Sequence, residues 1–409
     1  MIKKGSKTYP TAVTTAAGQV ARPAFRVPFR VQSGAAIFQA TGNGDSLGRG
    51  TGSQWLAGDL SPIGLFGGCE ITYLARIATQ GPKRSLISLR AEELKNSLNA
   101  FMRGVDAQFL SDGTGALLQI PATATVNNNT LAAPNVSSIV GLGGQANQLQ
   151  EQQVVQFFAA EGGAARAGTA TTSYVDGAAD TVYFSTALPV GTAAGDFIMI
   201  QGSTGAFNSS LAGIYLYQVA SNTGTVLNLP RANYPGQLST PNINKGGASL
   251  NTTDGYKVSI LIRRGLGDDA KEADEFEWIC GPDQELAVAQ LYTNVLQQNY
   301  VPPGDTALDM SKRYMPKTFN GRPLHVTVTA RQGRLDAIDP STWGIIETVE
   351  PSLYDFGDGV TTMPIPDFAN QGSYLTSSIF FYNAFLNLFN ANMKASAYLT
   401  NLSVPSVTS

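Results

Sequence analysis

The side chains that most often carry enzymatic chemistry are sparse in this sequence. Its 409 residues contain one histidine, His325, and two cysteines, Cys69 and Cys280. His325 lies in the alternating stretch Pro-Leu-His-Val-Thr-Val, which predicts a strand histidine with ordinary hydrogen bonds. Because the cysteines lie far from each other and from His325 in the sequence, they support neither a Cys/His zinc site nor a cysteine–histidine nucleophile pair. We therefore predict no catalytic residue, no metal ligand and no cofactor.

One stretch concentrates negative charge. Residues 267–277 read Gly-Asp-Asp-Ala-Lys-Glu-Ala-Asp-Glu-Phe-Glu. Crowded carboxylates can raise one another's pKa or bind calcium. The spacing lacks the Asp-x-Asp-x-Asp-Gly register of a calcium loop, so we interpret the stretch as a solvated acidic turn. The turn contains Asp268, Asp269, Glu272 and Asp274.

The composition indicates a β-rich protein with an unusually uncharged surface. Only 14% of the residues are charged, the net charge is −3, and 43 residues are glycine. Such a chain is not expected to attract nucleic acid strongly through its net charge. Its length predicts two or three domains. No signal-peptide core follows Met1, and no apolar run approaches the ~18 residues of a membrane span, so we expect no membrane. A surface this poor in charge favours large contacts with other proteins.

The longest regular pattern runs from Ser85 to Gly115. Its apolar residues recur every three or four positions, the period of one helix face. These residues are Ile87, Ala91, Leu94, Leu98, Phe101, Met102, Val105 and Phe109. We predict an amphipathic, half-buried helix over residues 89–110, about 33 Å long at 1.5 Å per residue. Asp112 and Gly113 are the predicted cap, since glycine suits the left-handed conformation after a helix.

A second periodic stretch lies near the start of the chain. Phe25, Val27, Phe29 and Val31 alternate with arginine and proline, which predicts an extended strand with one apolar face. Pro28 removes a main-chain donor and no hairpin turn follows, so we expect no pairing within the chain. Because four large apolar side chains need a partner, we predict that this arm contacts another subunit.

The rest of the chain mixes short strands with a few helices. Residues 34–68 hold ten glycines and little periodicity, which predicts an irregular extended loop. Strands are predicted at residues 169–175, 180–185, 196–201, 213–219, 225–229 and 275–280. Helical spacing is present at residues 149–160, and a clear helix begins at Pro282. The stretch that follows Thr252 fits a helix or a strand equally.

This order of segments resembles the major capsid proteins of tailed bacteriophages, which have the Hong Kong 97-type fold. The resemblance depends on the long helix that follows an extended loop and closes on Asp112-Gly113-Thr114-Gly115. It implies an α+β fold with an inserted small β-barrel or β-sandwich, and it favours a helix after Thr252. The implied segments are an N-terminal arm (1–33), an extended loop (34–84), a peripheral domain with a spine helix (85–163), the inserted β-rich domain (164–248), an axial domain (249–345), and returning strands with the C-terminus (346–409).

The resemblance also implies a structural function and no enzymatic activity. A capsid (coat) protein of this kind self-assembles into an icosahedral shell of hexamers and pentamers around double-stranded DNA. Its partners would be copies of itself, with portal, scaffolding and decoration proteins as further candidates and the DNA in weak, non-specific contact. The implied location is the virion capsid, after synthesis in the cytoplasm of a host bacterium. The acidic turn would lie near the capsomer centre.

Two alternatives stay open at this point. A β-rich carbohydrate-active enzyme would use a pair of acids and would line its groove with tyrosine and tryptophan. The sequence has only three tryptophans, and no acid pair stands out on neighbouring predicted strands. Another kind of virion structural protein is the second alternative.

Overall fold

The structure is a computed structural model with two compact units. It describes residues 10–12, 23–32, 52–72, 89–128, 131, 134–160, 163–200, 211–266, 276–296, 318–357, 359–366 and 374–405. Unit 1 consists of Met1–Ser61, Ala212–Ile345 and Leu388–Ser409, and unit 2 consists of Pro62–Leu211 and Ile346–Asn387. Each unit is described by itself.

Unit 1 begins with a three-stranded arm sheet. Its strands are β1 (Pro10–Ala12), β2 (Pro23–Gln32) and β3 (Gln54–Leu60), paired antiparallel in the order β1-β2-β3. The expectation that Pro28 keeps the arm from pairing within its own chain is wrong. Pro28 lies opposite Ala57 in the β2–β3 register, and the pairing continues on both sides of it. Residues 34–68, which were expected to form an irregular loop, therefore contain β3. They also contain part of the strand Ile63–Thr72, which belongs to unit 2.

Unit 2 contains the long helix and the strand before it. These are β4 (Ile63–Thr72) and α1 (Leu89–Phe109). The predicted helix is confirmed to within one residue at its end. Glycine at position 67 lets the helix approach the strand closely, because a Cβ there would lie 2.8 Å from the ring of Phe101. The Tyr382 hydroxyl also donates to the Leu94 carbonyl at 2.8 Å and ties the helix to a later strand.

A seven-stranded sheet follows α1 in unit 2. Its strands are β5 (Ala116–Gln119), β6 (Thr125–Asn127), β7 (Ser137–Val140), β8 (Val154–Phe158), β9 (Ala170–Asp176), β10 (Thr181–Phe184) and β11 (Phe197–Ile200), in the order β5-β11-β8-β9-β10-β7-β6. Fully buried Ile139, Phe157, Val182 and Ile198 belong to its core. The predicted helix at residues 149–160 is wrong. Residues 154–158 are a strand because Phe157 packs into this core while Val154 and Gln156 are only half-buried.

The next segments belong to unit 1. They are a single helical turn (Ile214–Tyr217), β12 (Thr225–Val226), β13 (Leu229–Pro230), β14 (Asn242–Asn244), α2 (Thr252–Leu266), β15 (Glu277–Cys280), α3 (Pro282–Leu296), β16 (Thr318–Phe319), β17 (Arg322–Val326) and β18 (Leu335–Ile338). The helices at Thr252 and Pro282 and the strand before Cys280 agree with the sequence. The strand predicted at residues 213–219 is wrong, since that segment makes one helical turn with Tyr217 fully buried.

A reciprocal cap fixes the start of α2. The side chain of Asn251 accepts from the Thr253 amide at 3.2 Å, and Asp254 accepts from the Asn251 amide at 2.9 Å. Each side chain thus satisfies a main-chain donor that the helix leaves unpaired. Lys245 adds an ion pair to the buried Asp254 carboxylate at 2.8 Å. These cap interactions favour a helix after Thr252, where periodicity fitted a helix or a strand equally.

The last strands complete both units. They are β19 (Trp343–Leu353), β20 (Met363–Pro366), β21 (Tyr374–Asn390) and β22 (Ala397–Thr400). In unit 2, β19, β21 and β20 form one sheet, and β4 pairs with β21. In unit 1, β22 joins a mixed sheet in the order β14-β22-β18-β15-β17-β16. The core of that sheet contains fully buried Trp278, Phe319 and Leu335.

Candidate assembly surfaces

His325 and Glu277 form a partly exposed polar pair. The histidine lies on β17, as predicted, and its Nε2 atom is 3.1 Å from Oε2 of Glu277 on the adjacent strand β15. Both side chains keep substantial solvent exposure. A pair of this kind contributes about 0–1 kcal/mol to stability. Its geometry is that of a cross-strand contact.

Both cysteines are free thiols held in the protonated form. Burial raises the pKa of the Cys280 thiol far above its ordinary value. Burial also raises the pKa of Cys69, with a smaller contribution from the charge of Glu93. Because the thiolate is the nucleophile, neither cysteine is activated.

A small cavity lies among the described residues of unit 2. A cavity of about 70 Å³ in unit 2 is lined by residues such as Ile71, Leu94 and Phe380. Pockets that hold small molecules are typically about 300–1,000 Å³. Across the described ranges, no group of three or more His, Cys, Asp or Glu residues is placed to hold a metal ion. None of the described helices is long and apolar enough to cross a bilayer.

The inner face of the arm sheet is buried within its own chain. Val27 and Phe29 are 1% and 3% exposed, and Phe25 is half-buried opposite Leu60. The side chain of Val31, the fourth residue predicted for this face, lies outside the described part. The contact of this face with another subunit therefore stays a prediction.

Leu227 packs against the arm sheet within unit 1. Leu227 lies in the tight turn between β12 and β13 with a φ of +46°, a conformation that is uncommon for a bulky side chain. A Cβ added at Gly58 would lie 2.8 Å from the Leu227 Cβ and 2.9 Å from the Phe29 ring. Glycine at position 58 leaves room for the contact between Leu227 and the arm sheet.

The middle of α1 leaves apolar side chains uncovered. Leu98 and Met102 are 39% and 46% exposed, although both belong to the predicted apolar face. Phe101 and Val105 on the same helix are buried within unit 2. The uncovered residues are the kind of surface that a partner protein would bury.

The segment after α1 turns sharply. Gly113 has a φ of +80°, and the Asp112 carboxylate accepts from the Thr114 amide at 3.2 Å. The helix itself ends at Phe109, and the Ser111 hydroxyl donates to the Leu211 carbonyl at 3.2 Å. Asp112 and Gly113 thus form a turn that follows the helix by a few residues. Their role as the cap of the helix stays a prediction.

The predicted acidic turn lies outside the described residues. Asp268, Asp269, Glu272 and Asp274 fall between the end of α2 and the start of β15. Their place at a capsomer centre stays a prediction.

Comparison with known proteins decides the fold. No protein-family model matches the sequence, and none of the curated proteins matches it significantly. A chain of the cyanophage A-1(L) capsid asymmetric unit does match, with a TM-score of 0.52 and 9% sequence identity, over 93% of this chain and 88% of that chain. This chain has the fold of a phage capsid protein. The predicted resemblance is confirmed at the level of the fold.

Other shells have weaker similarity to this capsid fold. A chain from the capsid of a native GTA particle matches with a TM-score of 0.47 and 10% identity, over 98% of this chain and 96% of that chain. A chain of the holo-SrpI encapsulin complex from Synechococcus elongatus PCC 7942 matches with a TM-score of 0.41 and 10% identity, over 99% and 95%. We base the assignment of the fold on the cyanophage structure.

Sequence reasoning missed one feature of this capsid fold, an aromatic run on the sheet of unit 2. Phe66 contacts Phe385 with ring centroids 5.6 Å apart, and Tyr354 and Phe356 continue the run to Phe381. The rings of Phe381 and Phe385 lie over the paired glycines of β4. The equal spacing of Gly64 and Gly68 and of the two phenylalanines was the signal that could have revealed it.

Proposed function

We propose that this protein is the major capsid protein of a tailed bacteriophage. Copies of it self-assemble into an icosahedral shell of hexamers and pentamers that encloses double-stranded DNA. The observation that carries the proposal is the likeness to the cyanophage capsid chain, which extends over 93% of this chain.

The surfaces of the described chain support assembly with other copies. Leu98 and Met102 on α1 and Phe66 on β4 are exposed apolar side chains of a protein with only 14% charged residues. Burying apolar area contributes about 25 cal/mol per Å², and a closed shell repeats each contact many times. Portal, scaffolding and decoration proteins are further partners of a shell of this kind.

Electron microscopy of the purified full-length protein tests the proposal. We expect closed shells, or hexameric and pentameric rings, after expression in bacteria. A monodisperse monomer under every assembly condition would contradict it. Measuring the sedimentation of the same sample separates assembled shells from irregular aggregates.

The contents of purified virions distinguish this function from related ones. If the protein encloses a phage genome, nuclease-treated particles release long double-stranded DNA when they are denatured. Particles that contain protein cargo and no DNA would indicate a compartment, and finding the chain in a tail would indicate another virion structural protein. Hydrolysis of a polysaccharide by the unassembled subunit would favour the carbohydrate-active alternative.

A further inference from the structure

The two units of the chain have opposite net charges. Unit 2 contains 15 acidic and 7 basic residues, whereas unit 1 contains 15 acidic and 20 basic residues. Their net charges are therefore −8 and +5, although the whole chain has a net charge of only −3. Such a division of charge favours contacts in which unit 2 of one copy meets unit 1 of another copy. A contact of this kind is head-to-tail, and it closes into a ring when the rotation between copies allows it.

The sheet of unit 2 has α1 on one face and the aromatic run on the other. The Tyr382 hydroxyl on β21 donates to a carbonyl of α1. Phe381 and Phe385 alternate with Tyr382 along the strand, so their rings lie on the opposite face. On that face Phe66 of β4 contacts Phe385 and is 57% exposed. We call this side of the sheet the aromatic face, and clustered rings of this kind suit a contact with a partner.

Carboxylates accompany the rings of the aromatic face. The four strands of its sheet contain three acidic residues, Glu70, Glu347 and Glu350, and no lysine or arginine. Glu70 is exposed and lies four positions after Phe66 on β4, so the two side chains share a face. A surface with exposed rings, a carboxylate and no cation fits a partner that supplies an apolar side chain and a positive charge.

The arm sheet of unit 1 has an outer face with those properties. Arg26, Pro28, Trp55 and Ala57 lie on this face, opposite the buried inner face, and all four are exposed. The side chain of Trp55 is 61% exposed. Arg26 lies 3.6 Å from Asp59, and its side chain remains 60% exposed. An exposed ion pair at this distance is weak, and a guanidinium group has five donors, so Arg26 can bind a second carboxylate as well.

We propose that the aromatic face of one copy binds the outer face of the arm sheet of a second copy, with Phe66 against Trp55 and Glu70 beside Arg26. This inference rests on the proposed function, since it names the surfaces through which the copies assemble. Large aromatic side chains dominate the binding energy of an interface when the partner covers them. Two aromatic faces in contact would instead bring the Glu70 side chains of both copies together, which like-charge repulsion opposes. The contact is therefore between two different surfaces.

Chemical crosslinking between two full-length variants tests the proposal. One variant carries Trp55→Cys and the other, with a tag that changes its mass, carries Phe66→Cys. Both carry Cys69→Ser, which removes a half-buried native thiol. After the variants are mixed under assembly conditions, a short bis-maleimide should join them into a covalent heterodimer. Each variant alone should give no dimer. The control mixes Trp55→Cys with Tyr174→Cys, an aromatic residue of unit 2 that is 48% exposed on β9, and should give little crosslinked product.

Assembly of single variants provides a second readout. Phe66→Ala should unfold at nearly the same urea concentration as the wild type, yet it should raise the subunit concentration needed for assembly by about tenfold or more. Tyr174→Ala is the matched control and should assemble normally. Glu70→Lys should also weaken assembly at low salt. Its defect should shrink near about 1 M salt, where exposed charges are screened within about 3 Å.

Three results would overturn the inference. The first is a dimer from Phe66→Cys alone, which would mean that identical surfaces meet. The second is equal crosslinking to Phe66→Cys and Tyr174→Cys, which would mean random collision. The third is normal assembly of Phe66→Ala. Shells that form without the crosslink between positions 55 and 66 would leave the proposed function intact and refute this contact. A crosslink between subunits that never form shells would support the contact and contradict the proposed function.

Discussion

The arm strand and the long helix have equally regular apolar patterns, yet the chain covers them differently. On β2, Val27 and Phe29 are almost fully buried within the same chain. On α1, Phe101 and Val105 are buried, whereas Leu98 and Met102 remain substantially exposed. The sequence predicted that the apolar face of the arm contacts another subunit and that the helix is half-buried. Periodicity therefore identifies the side chains that share a face, and it does not identify the chain that covers them.

The exposed middle of α1, with Leu98 and Met102, is a better candidate for an intersubunit contact than the buried inner face of β2. On the outer face of the arm sheet, the side chain of Trp55 is 61% exposed. Variants on the two elements should therefore separate folding from assembly.

The largest expected effect is on folding and comes from the arm. Phe29→Ala should lower the free energy of unfolding by about 3–5 kcal/mol, because a buried ring is removed and a cavity remains. Urea unfolding of dissociated subunits measures it. The matched control is Phe66→Ala on β4, whose ring is 57% exposed and should matter much less. Equal losses would mean that the arm is not part of the subunit core.

The contact of α1 with β4 should be the next most sensitive. Gly67→Val places a side chain where the Phe101 ring lies 2.8 Å from the ideal Cβ position. We expect a loss of about 1–3 kcal/mol from overpacking, measured by thermal or urea unfolding. Gly104→Ala on the same helix is the control, since its Cβ would meet only Gln150 at 3.4 Å. That substitution should stabilise the helix by about 0.5–1 kcal/mol.

A smaller effect is expected in the turn after α1. Gly113 has a φ of +80°, so Gly113→Val should cost about 1–2 kcal/mol from Cβ strain. Gly113→Asn should cost less, because asparagine tolerates the left-handed region better. Unfolding midpoints of the two variants provide the comparison. Identical midpoints would show that the turn relaxes around any side chain.

The smallest change in stability is expected on the exposed part of α1. Leu98→Gln with Met102→Gln should alter the unfolding free energy of the subunit by no more than about 0.5 kcal/mol, as is usual for surface sites. If this surface is an intersubunit contact, the same variant should give fewer closed shells in electron microscopy and sedimentation. Normal shell yield would exclude this part of the helix from the contact.

The sequence predicted well wherever a pattern was long or a local signal was strong. Eight apolar positions defined α1, and Pro282 followed by acidic residues defined the start of α3. Short runs were harder, because a few residues fit either period. Residues 154–158 have helical spacing but form strand β8, since their neighbours in the seven-stranded sheet supply the pairing.

By itself, the sequence determined which side chains share a face, where glycine and proline allow a turn, and how little charge the surface carries. Those properties follow from local geometry, which depends on residues a few positions apart. Only the tertiary structure decided that β2 pairs with β3 across Pro28, that Leu227 fills the space over Gly58, and that Leu98 and Met102 stay uncovered. Such outcomes depend on which distant segments compete for the same apolar face. Burial is a property of the whole packed chain, so no single stretch of sequence specifies it.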